Sequence, residues 1–263
     1  MDYEFLKSDQ VLFHYTQVST LFEGIFNSCS LRFPPLINMN DPYEYRDYYF
    51  TYSDMTDKLS PESVLKLVEM GKYLNTCIRQ KIKATCFCIN QQTEDSTNYG
   101  YQRSRMWTQF GDDHRGICLV FSKNSLLEKC LDTFPIVFHG GMYYKHPIDL
   151  LPSVNYQKLK DKSVFNQYVF EYLTAHQNIL LFQKDVDYKD ENEYRIYIMQ
   201  DKEFAKCKDN YLYLPIQNSL SSIIIGDRFH KSYLPLLLHF SKKYHFDCFK
   251  TQYINGQCVV SPI

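Results

Sequence analysis

The sequence predicts an α+β fold, a single domain over residues 1–263 with a bent or split, mostly antiparallel sheet flanked by helices. Three observations lead there. Strand-like apolar runs do not alternate regularly with single helices. No Gly-x-Gly-x-x-Gly or Gly-x-x-x-x-Gly-Lys loop follows any of them, which argues against a doubly wound nucleotide fold. Pro34-Pro35 interrupts an early extended segment at a point where a central strand would need its amides.

The chain opens with a β-rich run, residues 11–16, after which Ser19 is expected to cap a short helix with Leu21, Phe22, Ile25 and Phe26 on one apolar face. Residues 31–37 read as extended, and 38–42 as a polar turn. Ser60-Pro61 is N-cap chemistry followed by proline at the first helical position, predicting a long helix toward residue 81. Residues 84–89 read as a buried strand, 91–98 as a polar loop, 101–110 as a short helix with the only tryptophan, and 117–121 as another strand. A helix over 123–130 leads to an extended 136–138. Gly140-Gly141 should break that strand before 142–144 resumes it. The pattern from 156 to about 182 predicts one long helix with Val164, Phe165, Tyr168, Val169, Tyr172 and Leu173 inward. Strands at 194–199, 211–216 and 222–225, a helix over 232–244 and a strand near 249–253 complete the reading.

With 29 basic against 30 acidic residues, the chain has no global charge to draw it to nucleic acid or an anionic membrane, so any polyanion needs a local site. The 23 tyrosines and 19 phenylalanines are an excess of rings, useful for stacking on a base and equally for filling a core. Nine cysteines, an odd number at irregular spacing without a signal peptide, predict reduced thiols and a cytoplasmic protein. No Cys-x-x-Cys pair occurs and the histidines are scattered, so no metal is expected. Apolar runs such as Leu236-Leu237-Leu238 fall far short of the roughly 20 residues that span a bilayer, so no membrane partner is expected.

Four polar clusters lie beside apolar strand residues, where an unpaired polar group is costly. In His14-Tyr15-Thr16, strand alternation sends His14 and Thr16 to one face, where imidazole and hydroxyl can hold a ribose or phosphate; the alternative is a structural histidine. The second cluster, Asn38, Asn40, Asp41, Pro42, Tyr43 and Glu44, is either a binding elbow or a capped turn. The third holds Arg103, Arg105, Met106 and Trp107, with His114 beyond; the arginines are candidates for phosphate contact or plain solvated charges. In the fourth, Glu191, Glu193 and Arg195 alternate onto one strand face. Two carboxylates with a cation beyond can act as a general base or stabilise positive charge on a sugar carbon. Its alternative is an exposed strand end with a Glu-Arg pair.

In order along the chain, His14-Tyr15-Thr16, Asn40-Asp41-Pro42-Tyr43-Glu44, Cys86-Phe87, Met106-Trp107 with His114-Arg115-Gly116, and Glu191-Asn192-Glu193-Tyr194-Arg195 resemble the bacterial domain-of-unknown-function family twenty-nine seventy-one. Tyr188 stands where that family usually has the tryptophan of a Trp-x-x-Glu-x-Glu segment. The order of an early His-x-Thr strand, a middle aromatic strand and a late Glu-x-Glu strand also resembles ADP-ribosyltransferases, including nucleic-acid-modifying toxins of the DarT type. That resemblance implies NAD as substrate, His14 on its ribose, an aromatic ring such as Tyr43 on nicotinamide, and Glu193 at the sugar cation. The middle strand, Ala84-Thr85-Cys86-Phe87-Cys88, departs from the Ser-Thr-Ser character of that group, and no arginine follows the histidine.

The leading expectation is an NAD-dependent ADP-ribosyltransferase, a toxin or anti-phage effector acting on nucleic acid or protein, with a cognate antitoxin or defence-system partner. Glu193 and Glu191 would be catalytic. His14, Tyr15, Thr16, Asn40, Tyr43, Arg103, Arg105, Trp107 and Arg195 would bind the dinucleotide. A catalytically silent nucleotide-binding or protein-interaction module needs the same pocket without the late carboxylate, and a nuclease or phosphate-ester hydrolase is the third reading.

Overall fold

The structure, a computed structural model, describes residues 3–55, 60–92, 97–146, 150–161, 164–208 and 210–263. Parts of two predicted elements, residues 93–96 of the polar loop and 162–163 of the long helix, lie outside the described residues.

Eight strands form one large sheet. In chain order the strands needed here are β1 (Val11–Thr16), β2 (Ser30–Phe33), β3 (Lys83–Cys88), β4 (Ile117–Ser122), β5 (Ile136–Gly141), β6 (Glu193–Met199), β7 (Leu212–Pro215), β8 (Leu220–Ile225), β9 (Asp247–Ile254) and β10 (Gln257–Pro262). The large sheet runs β10-β9-β8-β4-β1-β3-β6-β5, and β2 pairs with β7 in a separate ribbon. Every ladder of the large sheet is antiparallel except the parallel β8–β9 pair. This bears out a mixed α+β chain with a large, mostly antiparallel sheet.

Both faces of the sheet are covered. On one face Leu12, Leu119, Phe121, Ile196, Ile198 and Ile223 pack with Leu126 and Cys130 of α3 (Lys123–Thr133) and Leu237 of α5 (Leu234–Tyr244). On the other, Phe13, Tyr15, Cys88, Cys118 and Val120 pack around Trp107 of α2 (Ser104–Gln109). Further along that side, Ala84, Tyr197 and Met199 meet Leu74 of α1 (Pro61–Thr76) and Val169, Tyr172 and Leu173 of α4 (Phe165–Ala175). The period-2 alternation of each strand supplies one residue to each layer.

Several local expectations are corrected. Ser19 does not cap its helix; it has helical dihedrals itself, and its side chain makes no cap bond. Leu36–Asn38 turns into a 3-10 helix instead of continuing extended. Gly140 and Gly141 do not break β5: they pair with Arg195 and Tyr194, and Gly140 leaves room for the Phe182 ring. Tyr143–Tyr144, rather than resuming that strand, pairs in parallel with Gln183–Lys184. The long helix over 156–182 is three pieces, Tyr156–Lys160, α4 and Gln177–Leu180, with Asp161 extended and His176 off helical geometry at the breaks. Ser60 behaves as expected, accepting from the Ser63 amide at the start of α1.

The sheet is split where the site lies. β1 and β3 share a single register pair, Phe13↔Cys88, whereas the flanking β1–β4 and β3–β6 ladders run the length of the strands. The segment after β2 takes the edge that β1 leaves: the Ala84 amide donates to the Pro34 carbonyl, Pro35 bridges Lys83, and the Thr85 hydroxyl donates to the Arg32 carbonyl at 2.8 Å. Proline can accept there without owing the ladder an N–H, so Pro34-Pro35 sits where the sheet parts.

Candidate functional site

A cavity of about 670 Å³ occupies this split, walled by β1, β3, the start of β6, the 39–44 turn and α2. Register explains how it gathers distant residues. Glu193 lies opposite Cys88, and Cys88 opposite Phe13, so these three share a face; His14 and Thr16 alternate onto the other face. Only where the sheet opens can both sets reach one space, and His14, Thr16, Glu191, Glu193 and Arg195 all line it.

His14 is held by the split itself. Its Nδ1 lies 2.9 Å from the Cys86 carbonyl. A carbonyl only accepts, so Nδ1 carries the proton and Nε2 of the neutral ring is an acceptor. Burial lowers the imidazole pKa against the pull of that carbonyl, which favours the neutral form.

The opposite wall is a buried chain of five charges. Lys184 Nζ lies 2.7 Å from Glu191 Oε2 and 3.2 Å from Glu193 Oε2. Arg195 Nη2 lies 2.7 Å from Glu193 Oε2, and Nη1 pairs with Glu44. Three carboxylates thus face two cations. Burial opposes ionisation of Glu193, but Arg195 and Lys184 outweigh it and hold the carboxyl at about 2. Glu44 and Glu191 are raised by burial, with Arg195 and Lys184 respectively only partly offsetting it. The fourth cluster is therefore not an exposed strand end.

The remaining wall residues divide by what their polar atoms do. The Tyr15 hydroxyl donates to the Gly100 carbonyl at 2.6 Å and its ring meets Trp107 edge-on, so its polar group is already used. Asn40 and Arg105 are exposed residues at the wall; the Arg105 guanidinium lies 5.7 Å from the Tyr188 ring centre and donates to the Asp187 carbonyl. The Cys86 thiol is pushed well up, by burial first and with Arg195 only partly compensating, so it is a poor nucleophile.

Three expected ligand contacts do not border the cavity. Trp107 is 0% exposed, its Nε1 donating to the Tyr101 carbonyl, which makes it core. Arg103 is buried and spent on the carbonyls of Asp190 and Ile89, so it braces the loop before β6 instead of meeting phosphate. Tyr43 is 50% exposed and does not line the cavity, whereas Glu44, next in the turn that Asp41 caps, pairs with Arg195. Arg195, although at the wall, is committed to two carboxylates. Sequence reading missed Lys184, which no local pattern marks, and left Glu44 within its motif without a role. Among the described residues no group of three or more His, Cys, Asp or Glu side chains is arranged to hold a metal ion. No helix among them is long and apolar enough to cross a membrane.

Residues 106–196 match the family model described as Protein of unknown function (DUF2971). This segment is similar to the DUF2971 family. The DUF2971 segment runs from α2 into β6 and carries Met106-Trp107, His114-Arg115-Gly116, Lys184, Glu191, Glu193 and Arg195; Glu191 closes a 3-10 helix and Asn192 is left-handed, so only Glu193 and Arg195 alternate along the strand as expected. His14, Asn40–Glu44 and Cys86-Phe87 precede it, so the cavity joins Lys184, Glu191, Glu193 and Arg195 inside the DUF2971 match to His14 and Glu44 outside it. Neither the curated proteins nor the solved structures yielded a match to the chain.

Proposed function

We propose that the cavity binds NAD and that the chain is an ADP-ribosyltransferase, with a sheet of that kind, acting on nucleic acid or protein as a toxin or anti-phage effector under a cognate antitoxin or defence-system partner. One observation carries this reading: His14 and Glu193, on opposite faces of the sheet and 179 residues apart, meet in one cavity at the split, with Glu191 brought in from the 3-10 turn before β6. The volume is that of a small-molecule site.

In this mechanism the Nε2 acceptor of His14 takes a ribose hydroxyl. The glycosidic C–N bond breaks with its electron pair leaving on nicotinamide, and the sugar carbon becomes cationic. The anionic wall, with Glu193 ionised throughout the working pH range, favours that cation. The acceptor's nucleophilic atom then bonds the sugar carbon and loses its proton, for which Glu191, with its raised pKa, is the candidate base. Lys184 and Arg195 fix the carboxylates, and the exposed Arg105 is the remaining candidate for phosphate.

A second reading is favoured by the pairing of Glu193 itself. A carboxylate already neutralised by two cations has less field to offer a nascent one, which suits a nucleotide-binding module without turnover. Labelled NAD incubated with the protein and cell extract separates the two. Nicotinamide release with transfer of label, lost in Glu193→Gln, supports the transferase; NAD bound but unconsumed supports the module.

A further inference from the structure

Asp41 lines the cavity and is not used by this mechanism. Asp41 is 4% exposed; its Oδ1 accepts from the Tyr43 amide at 2.9 Å and so caps the Pro42–Tyr45 turn. Its Oδ2 is buried and has no hydrogen-bond partner in the protein among the described residues. Of the cations that line the cavity, Lys184 and Arg195 are on the glutamates, Arg105 donates to the Asp187 carbonyl and the Arg32 guanidinium lies 4.8 Å from the Tyr211 ring centre. A buried carboxylate oxygen without a donor is costly. Capping does not require it, since asparagine caps as well as aspartate. The second oxygen thus has a cost in the free protein and no return within the turn, and it belongs to a side chain that borders the cavity.

We propose that Asp41 recognises the ligand, Oδ2 accepting a hydrogen bond from an exocyclic N–H of the bound base. His14 already offers the acceptor a ribose hydroxyl would use, which leaves the base as the source of this donor. A carboxylate accepts and cannot donate, so it disfavours a carbonyl or carboxylate brought to the same place. This assignment rests on the NAD reading, and NAD carries two such donors, the nicotinamide carboxamide and the adenine amino group.

The test is equilibrium binding of NAD, nicotinic acid adenine dinucleotide and nicotinamide hypoxanthine dinucleotide to the parent and to Asp41→Asn, with melting of both free proteins. Each analogue replaces one of the two donors. The parent should prefer NAD over one analogue by about tenfold or more, the usual scale for a hydrogen bond to a charged group. The analogue that loses affinity identifies the end of the dinucleotide at Asp41. Asp41→Asn, which can present either an acceptor or a donor, should narrow that preference to about threefold or less. The free variant should melt close to the parent, because asparagine keeps the cap. An unchanged preference in a variant that still binds NAD overturns the Asp41 assignment and leaves the NAD reading standing. A parent that binds none of the three dinucleotides overturns both.

Discussion

His14 Nδ1 bonds the Cys86 carbonyl at 2.9 Å across the gap where β1 and β3 part. A strand carbonyl facing an open ladder has no backbone amide opposite it, and the imidazole supplies the missing N–H. The same bond fixes the tautomer, so the structural role and the proposed ligand role of His14 use different nitrogens.

That arrangement makes stability depend on pH. Burial depresses the His14 pKa in the folded state, so the unfolded chain takes up its proton first, at about pH 6.5. Stability should therefore fall as pH drops through about 6.5 toward the folded value. Against His14→Gln, which does not titrate, the parent's advantage in melting temperature should shrink between about pH 8 and about pH 5. A constant difference across that range would mean the ring is as well solvated folded as unfolded.

The two glutamates of β6 and its approach should respond to acid in opposite senses. Glu193 is held at about 2, below its ordinary value of 4.5, so its contribution is full above about pH 4.5 and is lost as pH falls through about 2. Glu191 is raised, so its charge weighs against folding at neutral pH and protonation relieves it as pH falls through the raised value toward 4.5. Glu193→Gln should thus cost about 3–5 kcal/mol at pH 7, because it leaves Arg195 and Lys184 undercompensated, and the deficit should narrow in acid. The stability of Glu191→Gln relative to the parent should instead worsen in acid. Urea titrations of both variants at about pH 7 and about pH 4 check this; differences that move the same way would contradict the charge network.

The thiols give a separate check. All nine cysteines are free, and only Cys29 and Cys86 are not fully buried. Burial pushes Cys86 up, so its thiolate is scarce at neutral pH. Brief alkylation of the native protein, read by mass spectrometry, should label Cys29 ahead of all others. A stoichiometric disulfide, or Cys86 labelled first, would contradict the structure.

Much of this fold was legible because its strands are apolar and short. Residues 11–16, 117–121 and 194–199 fall on β1, β4 and β6 almost residue for residue, and Ser60-Pro61 marks the start of α1. Errors arose where tertiary packing overrode a local signal. Gly140-Gly141 stays in β5 because Phe182 and β6 hold it, and the 156–182 helix breaks where Asp161 is extended and His176 leaves helical geometry, within an apolar pattern that continues past them. In the site, His14 and the Glu-x-Glu pair were readable because buried polar groups in apolar strands need a reason. Lys184 was not, since its partners are chosen by the fold, and Trp107 and Arg103 look like ligand contacts only until Tyr101, Ile89 and Asp190 are seen to satisfy them.

NAD turnover tests the central claim most directly: nicotinamide release and transfer of labelled ADP-ribose in cell extract, by the parent, Glu193→Gln and His14→Gln, each held below its melting temperature. The account predicts release and transfer by the parent, a loss on the order of 10²–10³ in turnover for Glu193→Gln, and weaker NAD binding for His14→Gln. No release by the parent, or equal turnover in the parent and folded Glu193→Gln, would contradict it.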